Sequence, residues 1–575
     1  MKQAASEDEP MSADQSSTRR HLLATSSAAL LAPHALRSAP PERDIFASVL
    51  GTPQSVTAFF EDSRVPLAQS GSRWQAKGVE LRLDSQARQS ALFLACPKAG
   101  VLRIHLRWRV ALGPALSYVG DHWERSYGDL AWRRMEPERV LPWYVLATDG
   151  TATHACGVKA APGAFCFWQV DPAGVSLWLD TRSGGRGVRL GARELRAATV
   201  VAASYSGISA FRAAEKFCHS LCDAPRLPSA PVYGGNNWYY AYGKSSADDI
   251  RADSERLASV ASNSRNKPFM VIDDGWQPNP TAGPWLAGNA KFPDMAKLAA
   301  EMQSIGVEPG LWVRPLFTKQ ETPASWRLQS PNAEREFASS QTFTLDPTVP
   351  EALATIQRDI KTVAGWGYRL IKHDFSTYDL LGRWGSNMGA RITDDNWQFH
   401  EISRTNAEII RRFYGALRES AGNAMLLGCN TIGHLTAGLF ELQRIGDDTS
   451  GRDWNRTRKM GVNTLAFRAV QHNSFFAVDA DCVGLTRQIP WELNRQWLDL
   501  LAHSGTPLFV SAAPDAFGTE QRHAIREAFR IASEILPIAE PLDWLDNNEP
   551  QRWSFAGRRV DYDWFRPEEI SPFGD

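Results

Sequence analysis

The sequence predicts an α/β protein: a (β/α)8 TIM barrel preceded by an all-β sandwich and followed by a short β-rich extension. Three observations predict it. Residues 45–225 alternate apolar and polar side chains at period two, as in Val79-Glu80-Leu81-Arg82-Leu83 and Leu102 to Val110, with frequent Gly and Pro between runs. After a Pro-containing linker, Pro225 to Pro231, short apolar runs alternate with helical segments, the βαβ texture of a parallel sheet. Several of those runs end abruptly in charged or aromatic residues, as strand tips do at the working face of a barrel.

The elements follow in order. Residues 1–40 read as a leader. Arg19-Arg20 precedes a weakly apolar run of small residues to Ala32, which resembles a twin-arginine export signal, with Met11 as an alternative start. That implies a periplasmic or secreted protein. Residues 41–225 form the sandwich, with a further strand from Ala198 to Ser206 and a helix over 209–222. Within it, Tyr118 to Asp129 is dense in aromatic and charged residues; it reads either as a wall reaching across to the next domain or as a solvated loop.

The barrel is expected over 230–535. Its strands are Val232–Gly234, Pro268–Ile272, Glu308–Pro315, Tyr368–Ile371, Ala424–Gly428, Gln443–Gly446, Phe475–Val478 and Thr506–Ser511. Helices are expected over Ser246–Ser262, Met295–Ile305, Pro350–Trp366 and Trp397–Ala421. Residues 536–575 carry short strands around Arg552–Phe555 and Val560–Asp563.

Composition excludes several classes. A net charge of −1 leaves no electrostatic footprint for nucleic acid or an anionic membrane. No run after the leader is apolar enough to span a bilayer. The seven cysteines show no metal-ligand spacing with histidine, and no Gly-rich nucleotide loop is present; no metal or cofactor is expected. Cys156 and Cys166 could close a hairpin disulfide in an oxidising compartment, but most of the thiols are expected to be buried.

The strand ends read Trp238; Asp273 and Asp274, followed by Trp276; Arg314; Lys372 and Asp374; Cys429 and Asn430; Arg444 with Asp447 and Asp448; and Asp479 with Asp481. Converging carboxylates, a few cations and indoles describe a carbohydrate site better than a metal or phosphate site. Lys372 lies two residues before Asp374, so both face the same side of an extended tip. Glycosidases need two carboxyls astride the scissile bond. Alternatives stand beside these readings. Trp238 and Trp312 suit a core as well as a pocket wall, and Arg314 could pair with a structural carboxylate. Cys429 could simply pack, and Asp479 and Asp481 could only tie the rim together. His373 reads as packing.

These motifs, in this order, resemble the α-galactosidase clan of glycoside hydrolases, families 27 and 36. The matching pieces are Trp238 after strand one, Asp273-Asp274-Gly275-Trp276 after strand two and Lys372-His373-Asp374 on strand four. Gly428-Cys429-Asn430 on strand five, Arg444 to Asp448 on strand six and Asp479-Ala480-Asp481 on strand seven complete the set. The N-terminal sandwich resembles family 36. The resemblance implies a retaining exo-α-glycosidase, most directly an α-galactosidase, with Asp374 as nucleophile and Asp448 as acid/base, Asp447 being the alternative. It implies Asp273, Asp274, Trp276, Lys372, Trp238, Cys429, Arg444 and Arg314 as sugar-binding residues, and an oligosaccharide or glycoconjugate as partner. The rival readings are another α-glycosidase of the clan such as an α-N-acetylgalactosaminidase, a raffinose-synthase-type transglycosylase, a non-catalytic carbohydrate-binding protein, and a redox enzyme using the twin-arginine route.

Overall fold

A computed structural model describes residues 44–279, 281–329 and 342–565. The twin-arginine segment lies outside the described residues. From Asp44 onward the chain forms one compact unit.

The N-terminal half consists of two antiparallel sheets. One has six strands, in the order Arg64–Pro66, Ser55–Phe59, Arg103–Arg109, Gly174–Asp180, Phe165–Asp171 and Leu141–Pro142. The other has eight and is centred on Val79–Ser85, Gln89–Ala95 and Leu195–Ser206. The alternation read from the sequence is the burial pattern: Leu81, Leu83, Leu92 and Leu94 of one sheet and Ile104, Leu106, Leu177 and Leu179 of the other share one core. Cys156 and Cys166 fall on different sheets, so no hairpin disulfide joins them. All seven cysteines are free thiols, six of them buried.

The second half is a parallel barrel. Its strands are β1 (Tyr233–Asn236), β2 (Phe269–Ile272), β3 (Glu308–Val313), β4 (Leu370–His373), β5 (Met425–Gly428), β6 (Leu442–Arg444), β7 in two segments (Ala477–Asp479 and Cys482–Leu485) and β8 (Leu508–Ala512). Neighbours pair in sequence order from β1 to β7, and β8 pairs with β1. The first segment of β7 pairs with β6 and the second with β8. Only Ala480 and Asp481 separate the two segments, so the chain itself closes the sheet. The Asp-x-Asp read as a strand end is therefore a break within β7. Asp481 takes φ 74°, which interrupts the ladder and hands the strand from one neighbour to the other.

Helix starts follow capping chemistry. Ala247–Val260 opens on a reciprocal Ser246–Asp249 capping box. The helix expected from Trp397 begins at Asn406, because Thr405 and Glu408 form the capping box there; it runs to Ser420. Residues 397–405 are a loop bonded to the sandwich, with Trp397 O accepting from Gly185 N at 2.8 Å and Ile402 O from Arg189 N at 3.1 Å. The C-terminal segment forms a three-stranded antiparallel sheet, Glu540–Pro541, Arg552–Phe555 and Arg558–Asp561. No described helix is long and apolar enough to cross a membrane.

Candidate active site

Strand alternation builds the site. Val271, Leu370, Leu427, Leu442, Ala477 and Phe509 belong to a hydrophobic cluster separate from the main core. Two residues further along, the same faces carry Asp273, Lys372, Cys429 and Arg444. The bore is thus apolar below and ionised at its C-terminal end. His373 has the opposite parity. It is buried between the rings of Phe413, Tyr414 and Phe440, and burial pushes its imidazole down to about 3.

A cavity of about 470 Å³ opens at this end, and Asp273, Asp274, Lys372, Asp374, Asp447 and Asp448 all line it. Asp374 follows β4 directly, and Phe375 then turns the chain away at φ 65°. One carboxylate oxygen of Asp374 accepts from the Trp312 indole N–H at 3.0 Å. The other accepts from the backbone N–H groups of Phe375 at 2.7 Å and Asn430 at 3.1 Å. Burial alone would raise the Asp374 pKa. The charges of Lys372 and Arg125, with the indole bond, outweigh it and hold the group below the usual carboxylate range. Lys372 Nζ donates to Asp273 Oδ2 at 2.6 Å, and Asn236 donates to the same oxygen at 2.7 Å. Asp274 differs: burial, with the nearby Asp273 and Asp374 charges, pushes it up to about 6 despite a hydrogen bond from Gln277.

The doubled acid after β6 is held by three arginines. Asp447 offers Oδ1 to Arg125 at 3.2 Å and Oδ2 to Arg456 at 2.7 Å. Asp448 accepts from Arg444 at 2.8 Å through Oδ1 alone, and its side chain is 39% exposed against 20% for Asp447. Burial would raise the Asp448 pKa, but Arg444, Arg125, Lys372 and Arg456 together hold it low. Arg444 is itself anchored by Asp481 Oδ2 at 2.5 Å, and Asp481 also accepts from the Thr449 N–H at 2.7 Å and from the Tyr239 hydroxyl.

Arg125 comes from the sandwich. The 121–129 loop lies beside the tip of β6, with Ser126 N donating to Ile445 O at 2.9 Å and Asp447 N donating to Ser126 O at 2.9 Å. Arg468 fastens the loop's base, pairing with Asp121 at 2.9 Å and donating to Glu124 O at 2.5 Å. Fully buried Glu124 accepts from Gly385 N at 3.0 Å, from the Tyr127 hydroxyl and from the Asn430 amide. Of the two readings of this loop, the pocket wall is the one realised.

Of the expected site residues, Asp374, Asp447, Asp448, Asp273, Asp274, Lys372 and Trp238 line the cavity. Four do not. Trp276 has no exposed surface and donates its indole N–H to Trp312 O at 2.9 Å, because Gly275, at φ 112°, turns the chain behind β3. Trp312 takes the wall position instead. Arg314 is buried against Asp379, at 2.5 Å, and lies under Phe375. Cys429 is buried with its sulfur 3.9 Å from Arg444 Nη1. Arg444 itself stands behind Asp448 rather than in the cavity wall. The cavity also takes Arg125, Tyr127, Phe375, Trp384 and Ser386, none of which the strand-end argument selected. The aromatic and charged density of Tyr118 to Asp129 was the only sequence signal for the first two. Among the described residues, no group of three or more His, Cys, Asp or Glu is arranged to hold a metal ion.

Neither the comparison with protein-family models nor that with curated proteins returns a match. Solved structures do match. TtGalA, an α-galactosidase from Thermus thermophilus in complex with p-nitrophenyl α-D-galactopyranoside, superposes with a TM-score of 0.59 at 19% identity, over 88% of this chain and 99% of that one. The chain shares its fold with α-galactosidases. A GH36 α-galactosidase variant, AgaA from Geobacillus stearothermophilus in complex with 1-deoxygalactonojirimycin, gives a TM-score of 0.58 at 12% identity, covering 84% of this chain and 72% of that one. A second AgaA variant, in complex with raffinose, gives 0.58 at 13% identity over 83% and 70%.

Proposed function

We propose that the chain is a retaining exo-α-glycosidase acting on terminal α-galactosides. The observation that carries the reading is the pairing of a desolvated, hydrogen-bonded Asp374 carboxylate with the partly free Asp448 in one cavity at the barrel mouth. Three fixed donors and two nearby cations keep Asp374 ionised, as a nucleophile requires. In the first step Asp374 attacks the anomeric carbon while Asp448 donates its proton to the departing glycosidic oxygen. The covalent glycosyl-enzyme is then hydrolysed by a water whose proton returns to Asp448. Entry of a sugar removes water from Asp448, and that desolvation favours the neutral form the first step needs.

Asp273, Asp274 and Lys372 are the polar groups for the sugar hydroxyls, with Trp238, Trp312 and Trp384 as apolar walls. The apolar plug beneath the cavity makes the pocket blind, which suits a chain end rather than an internal unit. The shared fold and the α-galactosides held by TtGalA and AgaA support galactose as the sugar. The Arg19-Arg20 leader supports action outside the cytoplasm; a reporter fused after residue 40 should reach the periplasm, and lose it on R19K/R20K.

The test is hydrolysis of a panel of p-nitrophenyl α-glycosides, with NMR following the first anomer released. We expect α-galactose from the wild type and loss of turnover in D374N. Initial β-galactose would exclude the retaining route. Turnover of a different α-glycoside would keep the route and replace the sugar. Sugar binding without turnover would leave a binding protein.

A further inference from the structure

Two adjacent carboxyls follow β6, and the reaction needs one of them. We propose that Arg125, brought in by the sandwich loop, is the positioning residue that assigns the acid/base role to Asp448 by immobilising Asp447. The inference rests on the retaining-glycosidase reading.

The geometry separates the two acids. Asp447 is held at three points: its N–H by Ser126 O at 2.9 Å, Oδ1 by Arg125 at 3.2 Å and Oδ2 by Arg456 at 2.7 Å. Two of the three come from adjacent residues of one sandwich loop. A carboxylate gripped by a guanidinium at each oxygen cannot turn either oxygen to a leaving group without breaking an ion pair. Asp448 keeps Oδ2 without a hydrogen bond from any described residue, while Arg444 fixes Oδ1. Arg125 also reaches Asp448 Oδ1 at 3.9 Å, so one guanidinium spans the pair.

Arg125 is built to hold that position. It is 5% exposed, with the Tyr127 and Trp384 rings 5.9 Å and 5.6 Å from its guanidinium carbon, and Glu124 lies 3.7 Å from its Nε. The planar fork of an arginine suits two carboxylates better than an ammonium does. Around Asp448 the remaining charged and titratable groups are Arg444 on β6, Lys372 and Asp374 on and after β4, Arg456 after β6, and Tyr239 after β1. Of the cations that act on Asp448, Arg125 is the one contributed by the sandwich.

The experiment compares wild type, R125M and R125K by pH profiles of kcat/KM on an α-galactoside. It adds carboxyl 13C titration of the folded chain, with D448N assigning the Asp448 signal. Loss of the Arg125 charge raises the Asp448 pKa, so the descending limb that Asp448 sets moves up in R125M, by about one pH unit. R125K keeps the charge and holds that limb within about 0.3 unit while losing kcat, because an ammonium cannot grip both acids. The NMR midpoint of Asp448 shifts in parallel and needs no turnover. A wild type inactive on every glycoside defeats the function reading and the acid/base role with it, while the NMR still shows whether Arg125 sets the charge of Asp448. An R125M variant that melts like wild type yet leaves both the limb and the midpoint in place overturns the role given to Arg125.

Discussion

Replacing Lys372 by methionine removes the cation that pairs with Asp273 and acts on Asp374. Lys372 is 8% exposed, its ammonium lies 2.6 Å from Asp273, and it is the largest influence lowering the Asp374 pKa. An opposite charge at such range depresses a carboxyl by about 1–3 pH units. At about 1.4 kcal/mol per unit, its loss removes roughly 1.4–4 kcal/mol of preference for ionised Asp374. In the proposed reaction Asp374 acts as an anion, so the ascending limb of kcat/KM against pH moves to higher pH. The descending limb, set by Asp448, rises less, because Lys372 ranks behind Arg444 and Arg125 there. The same substitution strands Asp273, 3% exposed, with Asn236 as its remaining side-chain donor. Breaking a buried pair from one side costs roughly 3–5 kcal/mol, so the melting temperature falls, and adding D273N restores part of it. The assay is p-nitrophenyl α-galactoside hydrolysis across pH beside calorimetric melting. A K372M enzyme that melts lower but keeps its ascending limb in place would refute the electrostatic role and leave Lys372 as a strut.

Trp312→Phe deletes the indole N–H that helps hold the Asp374 pKa down, so the ascending limb of kcat/KM against pH should move to higher pH. Asp481→Ala leaves Arg444 buried without its 2.5 Å partner and removes the acceptor for Thr449 and Tyr239; calorimetry should show a loss of roughly 3–5 kcal/mol. Asp479 is pushed up to about 6, chiefly by burial, from an ordinary value of 3.8. Its folded pKa lies above its unfolded one, so its contribution is fully present below about 4 and is lost as pH rises through about 6. Asp479→Asn should therefore gain stability relative to wild type at pH 7 compared with pH 4, as read by urea unfolding at the two pH values.

The barrel and its ionised strand tips were legible because strand parity is local. Once Leu370 is inward, Lys372 follows, and the same step carries Val271 to Asp273 and Leu442 to Arg444. Parity fails where the chain leaves the strand. Gly275 at φ 112° sends Trp276 behind β3, and a motif that names an indole does not say which way the chain turns before it. Arg314 had two readings, and the choice depended on Asp379, which is 65 residues away. Asp374 was chosen from its own neighbours, and the Arg-x-x-x-Asp spacing of the resembled family put Asp448 ahead of Asp447, but no local residue shows what holds the two acids apart. Their distinction is written in Arg125 and Ser126, more than 300 residues earlier, in a loop whose only local mark is its aromatic and charged density. That dependence also bears on what counts as the working unit. A chain beginning at β1 would retain Asp374, Asp448 and every barrel strand. It would lose Glu124 from the Asn430 amide, while the N–H of Asn430 holds Asp374, and it would lose Arg125 from Asp447. Both carboxyls of the proposed reaction thus owe part of their setting to the sandwich, so the sandwich is a component of the site.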